Sequence, residues 1–146
     1  MADMAEFERR IRIYAAKVGK VGDEAVRTVA SATLRSLAYD TPVDTGLAVS
    51  NWQVGLGTAP SAERPAYSVG ERGSTAETNR LAVIQAGSTV INGYTSGSGA
   101  AVHIVNNAKH IGALNDGHSK QAPSNFVETA LLNGRASVRG LRISLK

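Results

Sequence analysis

Apolar residues in the first forty positions recur at intervals of three and four: Phe7, Ile11, Tyr14, Val18, Val21, Ala25, Val29 and Ala32. That spacing holds one stripe on one face of an α-helix, and Glu8, Arg12, Lys20, Asp23 and Arg27 fall opposite it. The pattern predicts an amphipathic helix from Asp3 to Ala38. It should stop near Tyr39 or Asp40, because Pro42 fixes its own φ, offers no N–H and pushes Thr41 away from helical angles. Gly19 and Gly22 each weaken a helix interior by about 1 kcal/mol relative to Ala, so a kink or break is expected there. A helix of about 35 residues is about 50 Å long, more than the diameter of a domain this size. Part of it must project or bend. The stripe is expected to pack on the protein's own sheet, with a neighbouring subunit as the alternative.

Beyond the helix the period changes. Thr41 to Trp52, TPVDTGLAVSNW, reads as a corner: Asp44 is placed to accept from the N–H of Gly46 or Leu47, Gly46 tolerates a left-handed conformation, and Trp52 plugs the corner onto the core. Trp52, Val54 and Leu56 alternate with Gln53 and Gly55 as a half-buried strand. Residues 57–76, punctuated by Gly57, Pro60, Pro65, Gly70 and Gly73, form an extended loop or arm, with one short strand around Tyr67 to Val69. Thr75 caps a second helix running to Ala86, with Leu81 and Ile84 inward. Residues 93–99 are a second flexible loop. Ala100 to Asn106 reads as a strand with Val102 and Ile104 on one face, Lys109 to Asn115 as a short helix, Asp116-Gly117 as a turn, and Ser119 to Ser124 as an extended link through Pro123. Ser124 should cap a third helix containing Phe126, Val127, Ala130, Leu131 and Gly134, before a closing strand of Leu141, Ile143 and Leu145. The fold class is α+β: a long N-terminal helix on a small, mostly antiparallel sheet with two or three shorter helices. A single domain spans 1–146, with the helix in 1–40 and the body in 41–146.

Composition narrows the chemistry. With 146 residues and no cysteine, the chain suits one domain without disulfides, thiolate metal sites or a cysteine nucleophile. The N-terminus MADMAEFERR lacks the apolar run of a secretory signal, and no stretch approaches the ~18 apolar residues of a membrane span. A soluble protein made in the cytoplasm is expected, with no membrane partner. The net charge of +4 is unevenly placed: nine basic and nine acidic residues through Arg72, then seven against three. Arg135, Arg139, Arg142 and Lys146 close the chain without an acid among them and are candidate contacts for DNA or an acidic partner. Gly97-Ser-Gly99 is neither a nucleophile elbow nor a phosphate loop, and His103, His110 and His118 lack metal-ligand spacing. No cofactor, metal or catalytic residue is expected. A hydrolase would require a pocket uniting a histidine with Asp44 or Ser119.

The Thr41–Trp52 block, taken with Asn107-Ala-Lys-His-Ile-Gly-Ala-Leu-Asn-Asp-Gly-His-Ser-Lys-Gln-Ala-Pro123, resembles the neck or tail-completion proteins of long-tailed bacteriophages, the lambda-type minor tail protein Z group. The two blocks fall in the family's order, and with their flanking helices cover most of the chain. The sequence departs from the family at Val49, Asn115 and Asn125, where Arg, Glu and Gly are usual. The resemblance implies a structural virion protein, assembled in the host cytoplasm, that forms a ring of copies, most simply six. That ring completes the tail and joins it to the head. Its partners would be further copies, tail terminator or tail tube proteins, head-closure or connector proteins, and genomic DNA passing through the lumen. Thr41, Pro42, Asp44, Thr45, Gly46 and Trp52, with Asn107, Asn115, Gly117, Ser119, Gln121 and Pro123, would set the turns that carry ring contacts. The loops 57–76 and 93–99 would meet neighbours. A small basic DNA-binding protein is the alternative.

Overall fold

In the computed structural model, which describes residues 4–121 and 124–140, the first helix (α1) runs from Met4 to Asp40 without interruption. The break expected at Gly19 and Gly22 is absent. A glycine weakens a helix but, unlike proline, removes no backbone donor, so the hydrogen-bond ladder continues through both positions. Termination comes at Thr41, whose N–H still reaches Leu37 O at 3.1 Å before Pro42 ends the ladder, while the Arg80 side chain donates to Ala38 O at 3.2 Å. The remaining elements are α2 (Leu47–Ser50), β1 (Trp52–Leu56), α3 (Ala76–Ile91), a 3₁₀ turn (Ser96–Ser98), β2 (Val102–Asn106), α4 (Ile111–Asn115) and α5 (Phe126–Ala136). This is the expected α+β class.

The two strands pair antiparallel, with Trp52 opposite Asn106, Val54 opposite Ile104 and Leu56 opposite Val102. Trp52, Val54, Leu56, Val102 and Ile104 therefore share one face. Two strands cannot bury a core alone, so helices supply the rest. α1 packs chiefly on α5 and α3, touching the strands more lightly, and α3 lies across β1. Leu34, Leu37, Ala38, Val49, Trp52, Val83, Ile91, Phe126 and Ala130 form the buried cluster. Two glycines set the helix approaches. A Cβ on Gly87 would overlap Leu34 Cδ2, and one on Gly134 would overlap Thr33 Oγ1.

Burial divides α1 in two. Its buried residues are Ala30, Thr33, Leu34, Leu37 and Ala38. By contrast Phe7, Ile11, Tyr14 and Val18 are 56%, 51%, 39% and 46% exposed. The packing of the stripe on the sheet is not seen: among the described residues no stripe position joins the buried cluster, Ala25 and Val29 line an open groove beside β2 and α5, and the N-terminal half projects. The buried residues also lie on a different face from the stripe: Ala30, Thr33, Leu34, Leu37 and Ala38 sit roughly 145° around the helix from it.

Other differences have local causes. α3 extends to Ile91 and buries Asn79, Val83, Gly87 and Ile91, leaving Leu81 exposed. Ile84 packs against the core as expected, but the inner face is also marked by an asparagine and a glycine that an apolar count passes over. No strand forms at Tyr67 to Val69: Tyr67 N–H donates to Ser50 Oγ and Ser68 N–H to Asn79 Oδ1, leaving neither for a ladder. α5 starts after Asn125, at φ 64°, instead of being capped by Ser124. The loop around Tyr94 to Gly99 is fastened to α1, with Ser96 N–H on Asp23 Oδ1 at 2.9 Å and Arg27 on Tyr94 O at 2.7 Å. The closing strand expected over 141–146 lies outside the described residues.

Two predictions follow from this packing. Gly134→Ala should destabilise the protein by about 1–3 kcal/mol, since α5 must move off α1, whereas Gly19→Ala, facing open space, should stabilise it by about 0.5–1 kcal/mol. Urea unfolding of both variants would show the opposite signs, and equal midpoints would contradict the close crossing. The second concerns pH. Hydrogen bonds from Ser96 hold the Asp23 carboxyl below its ordinary value, with Arg27 adding a smaller electrostatic effect. The contribution of this clasp should be complete above the unfolded carboxyl value and disappear as pH falls through the lower folded one. Amide exchange at Ser96 should quicken on acidification in the wild type and be fast throughout in Asp23→Ala.

Candidate assembly site

The corner begins with a hydroxyl used twice. Thr41 Oγ1 donates to Leu37 O in the last turn of α1 and accepts the Trp52 indole N–H at 2.8 Å. Both residues are buried, so the indole has its partner and the end of α1 is tied to the start of β1. Gly46 follows at φ 93°, the left-handed conformation its lack of a side chain permits. Asp44 behaves differently from expectation. Its carboxylate accepts Arg72 N–H at 2.8 Å, and its carbonyl accepts Gly73 N–H at 2.9 Å. Gly46 is the N-cap of α2 without a side-chain acceptor, and only Thr45 Oγ1 lies near Leu47 N, at 3.4 Å. The carboxylate thus turns away from α2 and holds the far end of the 57–76 arm.

Three buried polar side chains absent from the expected set complete this arrangement. Asn79 accepts Ser50 Oγ–H and Ser68 N–H on Oδ1, and donates through Nδ2 to Ser68 O and to Thr75 O and Oγ1. Asn51 donates to Leu47 O and Arg64 O and accepts Arg64 N–H. Ser50 accepts Tyr67 N–H. A segment with no ladder of its own is held by side-chain amides that act as substitute backbone. The arm is therefore a fixed strap across the corner, further secured by Asn107 Nδ2 on Pro60 O at 3.1 Å and by Arg64 stacked 3.4 Å over the Tyr67 ring. A sequence signal existed: asparagine is unfavourable inside a helix, so Asn79 in phase with Val83 and Gly87 marks a polar contact on the inner face.

The second block meets the first. Gln121 Oε1 accepts Val43 N–H at 3.0 Å, and Pro42, Asp44, Gly46, His110, His118, Ser119 and Gln121 line one cleft of about 260 Å³. Asn107 and Asn115 turn elsewhere. Asn115 Oδ1 accepts Val127 N–H at 3.0 Å and its amide donates to Glu128, so it caps α5 from twelve residues away. Gly117 makes its turn at φ 90°. Trp52 faces the core, on the other side of the corner. Arg135 and Arg139 are exposed, in the last turn of α5 and just beyond it. Pro123, Arg142 and Lys146 lie outside the described residues.

The cleft does collect Asp44, His110, His118 and Ser119, the grouping a hydrolase would need. Their hydrogen bonds run to the backbone instead: Asp44 Oδ1 to Arg72 N–H, and Ser119 Oγ to Gln121 N–H. Among the described residues no hydrogen bond joins serine, histidine and aspartate, so the nucleophile–base pairing is not formed. Nor, among them, is there a group of three His, Asp or Glu side chains placed to hold a metal, or a helix long and apolar enough to cross a membrane.

Compared with known proteins, the chain matches no family model, no curated protein and no solved structure.

The corner itself can be tested. Gly46→Val combines a disfavoured φ with a Cβ that would overlap the Asn79 amide, and should cost about 3 kcal/mol or more. Asn79→Ala, which strands buried backbone groups of the strap, should cost about 2–4 kcal/mol. Denaturant melts would measure both, and a Gly46→Val midpoint equal to wild type would mean the corner is misassigned.

Proposed function

We propose that the chain is a structural subunit of the neck of a long-tailed phage, a ring-forming tail-completion protein that joins tail to head and makes or breaks no bond. The observation that carries this is the division of α1. Its N-terminal half presents a continuous apolar stripe outside the core of the described residues, which suits a component completed by other proteins. The corner adds support. The two blocks that resemble the tail-completion family are far apart in sequence yet meet at one cleft. Asn125, where that family carries glycine, adopts a left-handed φ of 64°, a conformation for which glycine is the usual residue. The partners on this reading are further copies in a ring of six, the tail terminator or tube, the head connector, and genomic DNA in the lumen.

The DNA-binding alternative rests, among the described residues, on the helix α1 together with exposed Arg135 and Arg139. The two readings separate experimentally. Antibody against the chain should detect it in purified virions, and a phage lacking the gene should accumulate filled heads and finished tails that do not join. Duplex binding near physiological salt should be weak. Absence from the particle, or tight salt-sensitive duplex binding by the free chain, would overturn the assembly reading.

A further inference from the structure

The projecting half of α1 carries a pattern finer than amphipathicity. Phe7, Ile11, Tyr14, Val18, Val21 and Ala25 alternate strictly by four and three, filling the d and a positions of three consecutive heptads. Arg10, Lys17 and Glu24 fall at one flank of this seam (g), and Glu8, Ala15 and Gly22 at the other (e). The seam does not end at the body. Its last positions, Ala25 and Val29, form one edge of an apolar groove of about 530 Å³ whose α1 wall is otherwise Val26, Ala30, Thr33 and Leu37, with Ile104 and Leu131 across from them.

We propose that a second copy of this chain covers both surfaces: two α1 helices pair antiparallel about a two-fold axis, each N-terminal end reaching the other's groove. Volume favours this orientation. Antiparallel a-to-d layers place Ile11 opposite Val21 of the second copy, Tyr14 opposite Val18, and bulky Phe7 opposite Ala25, beside the groove mouth. A parallel pair would stack Phe7 on Phe7 and Tyr14 on Tyr14, and would leave both grooves open. Charge favours it as well. The antiparallel g positions set Arg10 across from Glu24 of the second copy, whereas a parallel pair would set Arg10 against Ala15. At the other flank Ala15 meets its own counterpart and Glu8 meets Gly22, small residues that let the helices approach. Lys17 faces Lys17 near the axis, the one like-charged contact. A seam about 30 Å long on each helix, with two grooves at its ends, buries on the order of 1,000 Å², the lower limit for a specific dimer. The contact is isologous and closes at two copies. It needs only a second copy and does not rest on the neck reading.

The chain has no native cysteine, so introduced ones report the register. Sedimentation of the full chain over a range of concentrations should show a monomer–dimer equilibrium. Ile11→Asp, on the projecting half, should leave a monomer with the thermal midpoint of the body unchanged. Arg10→Glu should raise the dimer dissociation constant about three- to tenfold, and Arg10→Glu with Glu24→Arg should restore it. Under mild oxidation Ile11→Cys with Val21→Cys should yield a covalent dimer, and Ile11→Cys alone should not. Several results would overturn the pairing: a monomer at every concentration, cross-linking by Ile11→Cys alone, or a ladder beyond two copies from the double variant. A dimer seen only after deletion of residues 141–146 would do so too, assigning the groove to the chain's own end. None of these outcomes alters whether the chain is found in virions, so the two proposals fail independently.

Discussion

The Thr41 hydroxyl, shared between Leu37 O and the Trp52 indole, is the point on which the architecture turns. It sits where a helical ladder has lost its next donor to Pro42 and where a large aromatic must bury an N–H. One side chain meets both needs. The helix end and the strand start are thereby fixed relative to each other, and the core of Leu34, Leu37, Val49 and Trp52 closes around them. Buried, the arrangement is worth more than an exposed hydrogen bond, because breaking either link strands a polar group away from water.

The same economy of secondary structure explains the strap. Residues 57–75 contain no strand, and two prolines and several glycines keep them from pairing with the sheet. Backbone groups of Arg64, Tyr67, Ser68 and Thr75 are instead engaged by Asn51, Ser50 and Asn79, all buried. Side-chain amides hold a donor and an acceptor in a fixed pair, so one asparagine can engage a residue's N–H and C=O together, as Asn51 does with Arg64. The result is a surface built from irregular chain and tied at several points to the corner. The second turn block docks against the Thr41–Trp52 corner through Gln121 and, by way of Asn115, also sets the start of α5.

Against this fixed body stands the first half of α1, which carries the exposed ion pairs Glu6–Arg9, Glu6–Arg10 and Glu8–Arg12. Such pairs contribute little in water. An isolated helical segment of about twenty residues is marginal by propensity alone, so continuity with the anchored half is what supports it in the single chain. One helix is thus divided into an anchored half and an exposed half.

What the sequence determined by itself was whatever depends on near neighbours. The period of α1, its stop before Pro42, the alternation of β1 and β2 and the left-handed Gly46 are all local, because periodicity and φ preference act over a few residues. Tertiary structure decided the rest. The apolar repeat of α1 could not tell which half meets the body, since both halves carry the same spacing. Asp44 looked like a cap for the next turn, yet a more distant N–H, that of Arg72, took its carboxylate. Leu81 looked buried, yet Asn79 and Gly87 lie inside, because close approach to Leu34 and the need to satisfy the strap outweighed apolar area. Selection among equally plausible partners is settled only when the chain has closed on itself, since it turns on which groups can be desolvated together.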